Sequence, residues 1–414
     1  MKMRKSAIGF ALVTLVLVAL LIVYGDNLKR LYMAVTLYDE DKIAQNFVSM
    51  PAAFTVTTLT PSSQPYKFPR VTIHEPTDLA LQAVGTSETL AEFLVASRTT
   101  SLLVIADGAI VYEYYGETGA ADRPHISFSV AKSFVSALVG IALEQGFIKN
   151  INQPVVDYVP ELAASGYQHA TIKNVLQMSS GVRFNEDYAD FNSDINRFSR
   201  AIAFGSSLDD FTASLESERA PGQVNHYVSI DTQVLGMVLV RATQMSLTDY
   251  AQRYLWEPLG MQDTAYWLSD DEGMELALGG LNVTARDYAK FGWLYANQGR
   301  FNGVQVVPEA WVYESTHATD PHVLRSTEAN LAGPYGYGYQ WWLPPGSDSD
   351  FMARGIYHQY IYVAPDAKVV IVKTSVNHRF NDKSLQWSAR HLALFRTLTD
   401  YYSNLPSLDR KEGK

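Results

Sequence analysis

The chain has 414 residues, 47% of them hydrophobic and 18% charged, which is enough for two or three globular domains or one large bilobed unit. Its formal charge of −10 supplies no basic stripe to neutralise phosphates, which argues against a nucleic-acid partner. The absence of cysteine excludes disulfides, thiolate chemistry and cysteine-ligated metals.

The first 25 residues differ in composition from the rest. Lys2, Arg4 and Lys5 precede the uncharged run Ala7–Tyr24, which at about 1.5 Å per residue spans ~27 Å and just crosses a bilayer core. A cleaved signal peptide would have a shorter apolar core and a small-x-small site. We therefore expect residues 1–25 to anchor a single-pass inner-membrane protein whose remaining chain lies on the periplasmic side, with cleavage and secretion as the alternative.

Residues 26–84 are predicted to be a connector. A short amphipathic helix is expected over Lys29–Phe47, and the prolines that follow favour extended chain because each biases its predecessor away from helix. The main domain is predicted over residues 85–405, with a tail at 406–414. It begins with the capping box Thr89-Leu-Ala-Glu92, which predicts a helix to about Ala96.

Two predicted hairpins lie near opposite ends of the main domain. Asp107-Gly108 supplies the positive φ of a tight turn between Leu102–Ala106 and Ile110–Tyr114, and Pro365-Asp366 lies between two later strands. The intervening chain is mainly helical. This order predicts an α+β fold, in which early and late strands form one antiparallel sheet flanked by helices and the insertion forms a mainly helical second lobe.

Ser129 and Lys132 precede the apolar run Phe134–Leu143, which reads as a buried helix. Residues three apart lie side by side on a helix. The Ser129 backbone N–H in the first turn can face a developing oxyanion, and the lysine can accept the hydroxyl proton if burial keeps it neutral. Lowering the lysine pKa from ~10.4 to ~7.5 requires roughly 4 kcal/mol from its surroundings.

Two later stretches offer partners for this serine. Tyr227 and Ser229 are two apart in an extended segment before a buried helix, so both hydroxyls can face one site. A phenol beside an ammonium is a workable general base. Further on, Gly355 allows a substrate to lie against a strand, where the backbone N–H of Ile356 could be a second oxyanion donor.

This order of motifs, a serine with a lysine three residues later, then Tyr-x-Ser, then small-x-Gly before a strand, resembles the serine β-lactamase and penicillin-binding superfamily. The match is closest to class C β-lactamase-like esterases and 6-aminohexanoate-dimer hydrolases, and covers roughly Ser101–Phe395. Supporting stretches are Ser179-Ser-Gly-Val182, Asn185-Glu-Asp-Tyr188, Gly279-Gly-Leu281, Gln340-Trp-Trp342 and Gly355-Ile-Tyr-His-Gln359. The resemblance implies the β-lactamase-like fold.

The resemblance also implies an acyl-enzyme route. Ser129 would be the nucleophile, Lys132 its activating base and Tyr227 the group that passes the proton to the leaving group. The backbone N–H groups of Ser129 and Ile356 would form the oxyanion hole. Tyr188 resembles a tyrosine that contacts the substrate amide in the dimer hydrolases. Ser229, Gly355, Trp341 and Trp342 are further candidates for substrate binding.

Two positions depart from the family pattern. Ala353 stands where β-lactamases usually have a lysine that helps hold the antibiotic carboxylate, so β-lactam hydrolysis is not implied. His358 replaces the glycine that usually precedes the glutamine, and a histidine there is more often packed than catalytic.

The sequence therefore predicts a serine hydrolase of a small amide or ester that needs no metal or organic cofactor. A peptidoglycan D-Ala peptidase or penicillin-binding protein is an alternative in the same class. A non-catalytic binding module on the same fold is the alternative from another class.

Overall fold

The computed structural model describes residue 25 and residues 28–71, 75–83, 86–327 and 331–404. The predicted membrane segment Ala7–Tyr24 lies outside these ranges. Among the helices within them, none combines the length and the apolar character needed to cross a bilayer. The prediction of a single-pass inner-membrane protein with a periplasmic domain therefore finds no support and is withdrawn.

The structure contains fifteen strands in the described ranges. They are β1 (Val56–Leu59), β2 (Ala80–Ala83), β3 (Thr86–Thr89), β4 (Thr99–Ala106), β5 (Ala109–Tyr115), β6 (His125–Ile126), β7 (Ala265–Leu268), β8 (Leu281–Val283), β9 (Arg300–Phe301), β10 (Val304–Gln305), β11 (Gly336–Tyr337), β12 (Trp342–Leu343), β13 (Phe351–Gly355), β14 (Gln359–Ala364) and β15 (Val369–Ser375).

Helices occupy much of the chain between β5 and β11. The helices are α1 (28–36), α2 (Ile43–Asn46), α3 (Leu90–Ala96), α4 (Ala131–Glu144), α5 (Ile172–Leu176), α6 (Asp194–Ala203), α7 (Leu208–Ala213), α8 (Ile230–Thr243), α9 (Leu247–Ala251), α10 (Ala285–Ala296), α11 (Glu309–Thr316) and α12 (Trp387–Ser403).

The main sheet has seven strands in the order β11-β12-β13-β14-β15-β4-β5, and every neighbouring pair is antiparallel. The late strand β15 lies directly beside the early strand β4, with Ile371 opposite Val104. This confirms the predicted α+β fold, in which the two hairpins meet in one sheet.

Local turn and cap signals produce the elements they predict. Asp107 and Gly108 both have positive φ, at 46° and 77°, as a tight turn between right-twisted strands requires. Thr89 and Glu92 form the predicted capping box, in which the Thr89 side chain accepts from the Glu92 N–H and the Glu92 carboxylate accepts from the Thr89 N–H. That helix, α3, ends at Ala96 as expected.

The helices form two layers around the main sheet. Leu392, Phe395 and Leu398 of α12 pack in one buried cluster with strand residues of one sheet face. On the other face, Gly292 of α10 lies so close to Val370 and Ile361 that a Cβ there would clash with both side chains. Almost every residue of α4 is buried, as its apolar sequence predicts.

The stretch predicted as a connector takes part in the folded structure. Strand β1 pairs with β7 at the edge of a four-stranded sheet of order β1-β7-β8-β6. The single helix predicted over Lys29–Phe47 is wrong: a turn and a loop separate α1 from the four-residue helix α2. The proposed boundaries between connector, main domain and tail stay predictions.

Candidate active site

Ser129 lies in a 3-10 turn, Phe128–Val130, that leads directly into the buried helix α4. Phe128 has a φ of 46°, which is a strained conformation for a bulky residue and typical of turns that present a functional group. Ser129 is half-buried and borders two cavities. The turn therefore presents the hydroxyl to space that a substrate can enter.

Lys132 lies one turn later and is only 1% exposed. Its Nζ donates a hydrogen bond to the carbonyl oxygen of Leu278 at 2.5 Å. Burial lowers the pKa of Lys132 from 10.5 to about 7, although the nearby carboxylates of Glu186 and Asp231 oppose the shift. The neutral amine required of a general base is therefore accessible near neutral pH.

Tyr227 meets the other two predicted groups. Lys132 Nζ lies 5.8 Å from the centre of the Tyr227 ring. The Tyr227 ring stacks on Trp342, with 5.2 Å between the two ring centres. Burial raises the pKa of Tyr227, and hydrogen bonding to the side chains of Ser129 and Ser229 offsets part of the rise. The structure thus brings together a hydroxyl, an amine and a phenol from three distant parts of the sequence.

The proposed oxyanion donors lie where β13 ends beside the serine turn. Ile356 borders both cavities with Ser129. Gly355 is required by the close approach of these two segments, because a Cβ there would collide with the carbonyl oxygen of Ser127. Tyr357 and His358 complete the turn with φ values of 59° and 72°, so the chain reverses through strained backbone directly after the predicted donor.

Tyr188 and Ser229 are joined through a carboxylate that sequence reasoning missed. Glu186 accepts hydrogen bonds from the Tyr188 hydroxyl at 2.7 Å, the Ser229 hydroxyl at 2.5 Å and the Ser229 backbone N–H at 2.8 Å. Tyr188 and Glu186 also line a cavity with Ser129. The signal in the sequence that could have identified Glu186 was its position two residues before Tyr188, a predicted substrate contact.

Asp231 is a second carboxylate that sequence reasoning missed. It is fully buried in the first turn of α8, where its Oδ1 accepts from Ser180 at 2.6 Å and from Tyr167 at 2.8 Å. Burial raises its pKa to about 7, and its charge raises the pKa of Lys132. The signal in the sequence was an acidic residue two positions after Ser229, at the start of a helix that was predicted to be buried.

The two neighbouring tryptophans have different surroundings. Trp342 lines a cavity with Tyr227, as predicted. Trp341 does not reach either cavity beside Ser129: it is fully buried and packs between Phe291, Tyr295 and Phe351. Adjacent side chains of an extended segment point to opposite sides, so only one of the pair can face the site.

His358 and Arg354 line the same cavity as Trp342. His358 is buried against Trp387 and His391, and burial lowers its pKa, so it is a packed neutral residue. Arg354 was not singled out from the sequence. Its guanidinium lies over the rings of Tyr335, Trp342 and Tyr360, at 4.9, 5.1 and 5.8 Å from their centres.

Two cavities therefore meet at Ser129. The smaller has a volume of about 90 Å³ and is mainly apolar. The larger has a volume of about 310 Å³ and a more polar lining. Ser129, Tyr188 and Ile356 border both. Elsewhere, no group of three or more His, Asp or Glu in the described ranges is arranged to hold a metal ion.

Comparison with known proteins agrees with this architecture. Residues 88–394 match the Beta-lactamase family. A curated relative, the 6-aminohexanoate-dimer hydrolase of Paenarthrobacter ureafaciens, is 30% identical over 285 residues, covering 67% of this chain and 72% of the relative.

Solved structures share the fold. One, provisionally named a 6-aminohexanoate-dimer hydrolase from Bacillus anthracis, superposes with a TM-score of 0.78 at 23% identity, covering 89% of this chain and 97% of that one. A penicillin-binding protein from Bacillus halodurans gives a TM-score of 0.55 at 16% identity, covering 72% of this chain and 99% of that one. The resemblance inferred from the motifs is confirmed: the chain belongs to the Beta-lactamase family of β-lactamase-fold serine hydrolases.

Proposed function

We propose that this protein hydrolyses a small amide or ester through an acyl-enzyme formed on Ser129. The observation that carries the proposal is the convergence of Ser129, Lys132 and Tyr227 around one cleft, with the amine of Lys132 buried and its pKa lowered to about 7. A non-catalytic binding module would have no need of a nucleophile, a base and a proton donor together at one site.

In the acylation step, the Ser129 oxygen attacks the substrate carbonyl while its proton passes to neutral Lys132. The oxyanion is then stabilised by the backbone N–H groups of Ser129 and Ile356, each such donor being worth about 10²–10³ in rate. The proton reaches the leaving nitrogen or oxygen by way of Tyr227, and the bond from the carbonyl carbon to that atom breaks.

In the deacylation step, water attacks the ester carbonyl. Its proton returns through the same amine and phenol to the Ser129 oxygen as the acyl–serine bond breaks, which releases the acid and restores the enzyme. Tyr188 is proposed to contact the amide of the substrate. Glu186, which holds both Tyr188 and Ser229, is proposed to position these two hydroxyls around the cleft.

An amide related to the substrate named for the Paenarthrobacter relative is a second candidate, favoured by 30% identity over most of this chain. A D-Ala peptidase has weaker support, because Ala353 stands in place of the usual lysine of the third motif.

Fluorophosphonate labelling followed by mass spectrometry tests the proposed nucleophile. The adduct should fall on Ser129, and Ser129→Ala should lose both the label and esterase turnover, by about 10⁴-fold or more. Turnover retained in Ser129→Ala would overturn the proposal. Esters, D-Ala peptides and nitrocefin assayed in parallel separate the three substrate classes.

A further inference from the structure

The two cavities at Ser129 differ in which catalytic groups they contain. Tyr227 lines the larger cavity and is not part of the lining of the smaller one. The phenol has to reach the leaving atom of the substrate in order to pass a proton to it. In the proposed reaction the leaving group must therefore lie in the larger cavity, which leaves the smaller cavity for the acyl group.

The smaller cavity is suited to an uncharged chain. No charged side chain is part of its lining, which consists mainly of aliphatic and aromatic residues. Leu37, Met50 and Phe54, from the segment before the main domain, close one side of it. Its volume of about 90 Å³ is below the ~150 Å³ of an apolar cavity that binds benzene, which suits a short aliphatic chain.

The larger cavity contains a cation that has no carboxylate partner in the described part of the chain. Arg354 makes no ion pair there, and its Nη2 donates to the hydroxyl of Ser388 at 2.9 Å. Three aromatic rings hold the guanidinium in place. One acidic side chain, Glu186, is part of this lining, and its carboxylate already accepts hydrogen bonds from Tyr188 and Ser229.

A guanidinium fixed on aromatic faces retains donors that match the two oxygens of a carboxylate. Charge-assisted hydrogen bonds of this type are typically about twice as strong as neutral ones. Arg354 borders the space that the leaving group must occupy, so an anionic leaving group would meet a preorganised partner there.

On the basis of the proposed function, we propose that the substrate has a short uncharged aliphatic acyl group, which occupies the smaller cavity. Its leaving amine or alcohol carries a carboxylate, which Arg354 binds. The substrate class is thus an N-acyl or O-acyl derivative of a small amino or hydroxy acid.

The test for the leaving group uses N-butanoyl amides of ω-amino acids, from glycine to 6-aminohexanoate, each beside its neutral terminal carboxamide. Release of the amine gives kcat/KM for each pair. In the unaltered protein the carboxylate member of the best pair should be preferred by about 10- to 100-fold, the range expected for a hydrogen bond to a charged group.

Arg354→Gln should remove that preference, whatever it does to the absolute rates, and Arg354→Lys should retain part of it. Arg253→Gln is the matched control, because Arg253 is exposed, lies over Tyr254 and borders neither cavity. This control should keep the full preference. Equal rates within every pair, or a preference that persists in Arg354→Gln, would overturn the inference.

The test for the acyl group compares butanoyl with 4-aminobutanoyl on the best leaving group. An ammonium in an uncharged cavity loses its hydration without gaining a partner, so the butanoyl substrate should be faster by about 100-fold or more. Equal rates or faster cleavage of the 4-aminobutanoyl substrate would contradict the assignment.

p-Nitrophenyl butanoate separates failure of the inference from failure of the proposed function. The leaving group of this ester carries no carboxylate. If Ser129-dependent hydrolysis of the ester is observed and the amide pairs show no preference, the inference is contradicted and the proposed function is not. Absence of Ser129-dependent turnover of every ester and amide sinks both.

Discussion

The Nζ atom of Lys132 lies 5.8 Å from the centre of the Tyr227 ring, although 94 residues separate the two in the sequence. The amine is buried and the phenol is stacked on Trp342, so neither can move far from the other. This arrangement places Lys132, the proposed base, beside Tyr227, which is proposed to donate a proton to the leaving group.

The activity should depend on pH through Lys132. Burial lowers the pKa of Lys132 to about 7, and the protonated amine cannot accept the Ser129 proton. We therefore expect kcat/KM to fall about tenfold per pH unit below about 7 and to level off above it. A profile measured with a neutral ester from pH 5 to 9 tests this. An acidic limb centred near 10, or none at all, would contradict it.

Glu186→Gln should move that acidic limb to lower pH. The Glu186 carboxylate raises the pKa of Lys132, so its neutralisation should leave the amine deprotonated at lower pH. The neighbouring exposed carboxylate offers a control, and Asp187→Asn should leave the profile in place. A limb that moves upward in Glu186→Gln, or equally in both variants, would show that Glu186 does not act on Lys132.

Gly355→Ala should lower both stability and activity. The added Cβ collides with the carbonyl oxygen of Ser127, which has little freedom to move because the Ser127 N–H donates to Leu281. Displacement of the serine turn should cost at least about 10²-fold in kcat/KM, comparable to the loss of an oxyanion donor.

Gly279→Ala is the matched control for Gly355→Ala. The nearest atoms to its methyl group would be backbone atoms of Phe128, at an ordinary contact distance of 3.4 Å or more, so the variant should keep its melting temperature. Thermal denaturation of both variants tests the comparison of stability. Ester hydrolysis is compared between Gly355→Ala and the unaltered protein, because Gly279 lines the smaller cavity. A wild-type melting temperature and kcat/KM for Gly355→Ala would show that the end of β13 and the serine turn can move apart without cost.

The adjacent tryptophans should respond differently to substitution. Trp341→Ala should cost about 3–5 kcal/mol of unfolding free energy, since it empties a fully buried site between aromatic rings. Trp342→Ala should change kcat/KM more than stability, because its ring supports Tyr227 and Arg354. Urea denaturation and steady-state kinetics on both variants measure the contrast, and the reverse pattern would exchange their assigned roles.

The parts of the fold that were predictable from the sequence depend on nearby residues. The turn at Asp107-Gly108 and the cap at Thr89 follow from backbone preferences within a few positions. The pairing of β4 with β15 was inferred from the order of the hairpins. The break between α1 and α2 was missed, because an amphipathic pattern does not show where tertiary contacts interrupt a helix.

The candidate site was predictable where a motif names the residue. Ser129, Lys132 and Tyr227 stand at recognisable spacings. Glu186 and Arg354 do not, because their proximity to the cleft arises from packing between distant segments, such as the contact of Arg354 with Tyr335 and Trp342. The sequence Trp341-Trp342 does not indicate which of the two rings faces the cleft and which packs in the core.

Leu37, Met50 and Phe54 form one wall of the smaller cavity, and most of its remaining lining lies between Ile126 and Ile356. The proposed reacting groups belong to residues 88–394, which match the family, whereas one wall of the proposed acyl cavity is supplied by residues that precede this range. Exchange of that leading stretch should therefore reshape one wall of this cavity without replacing Ser129, Lys132 or Tyr227.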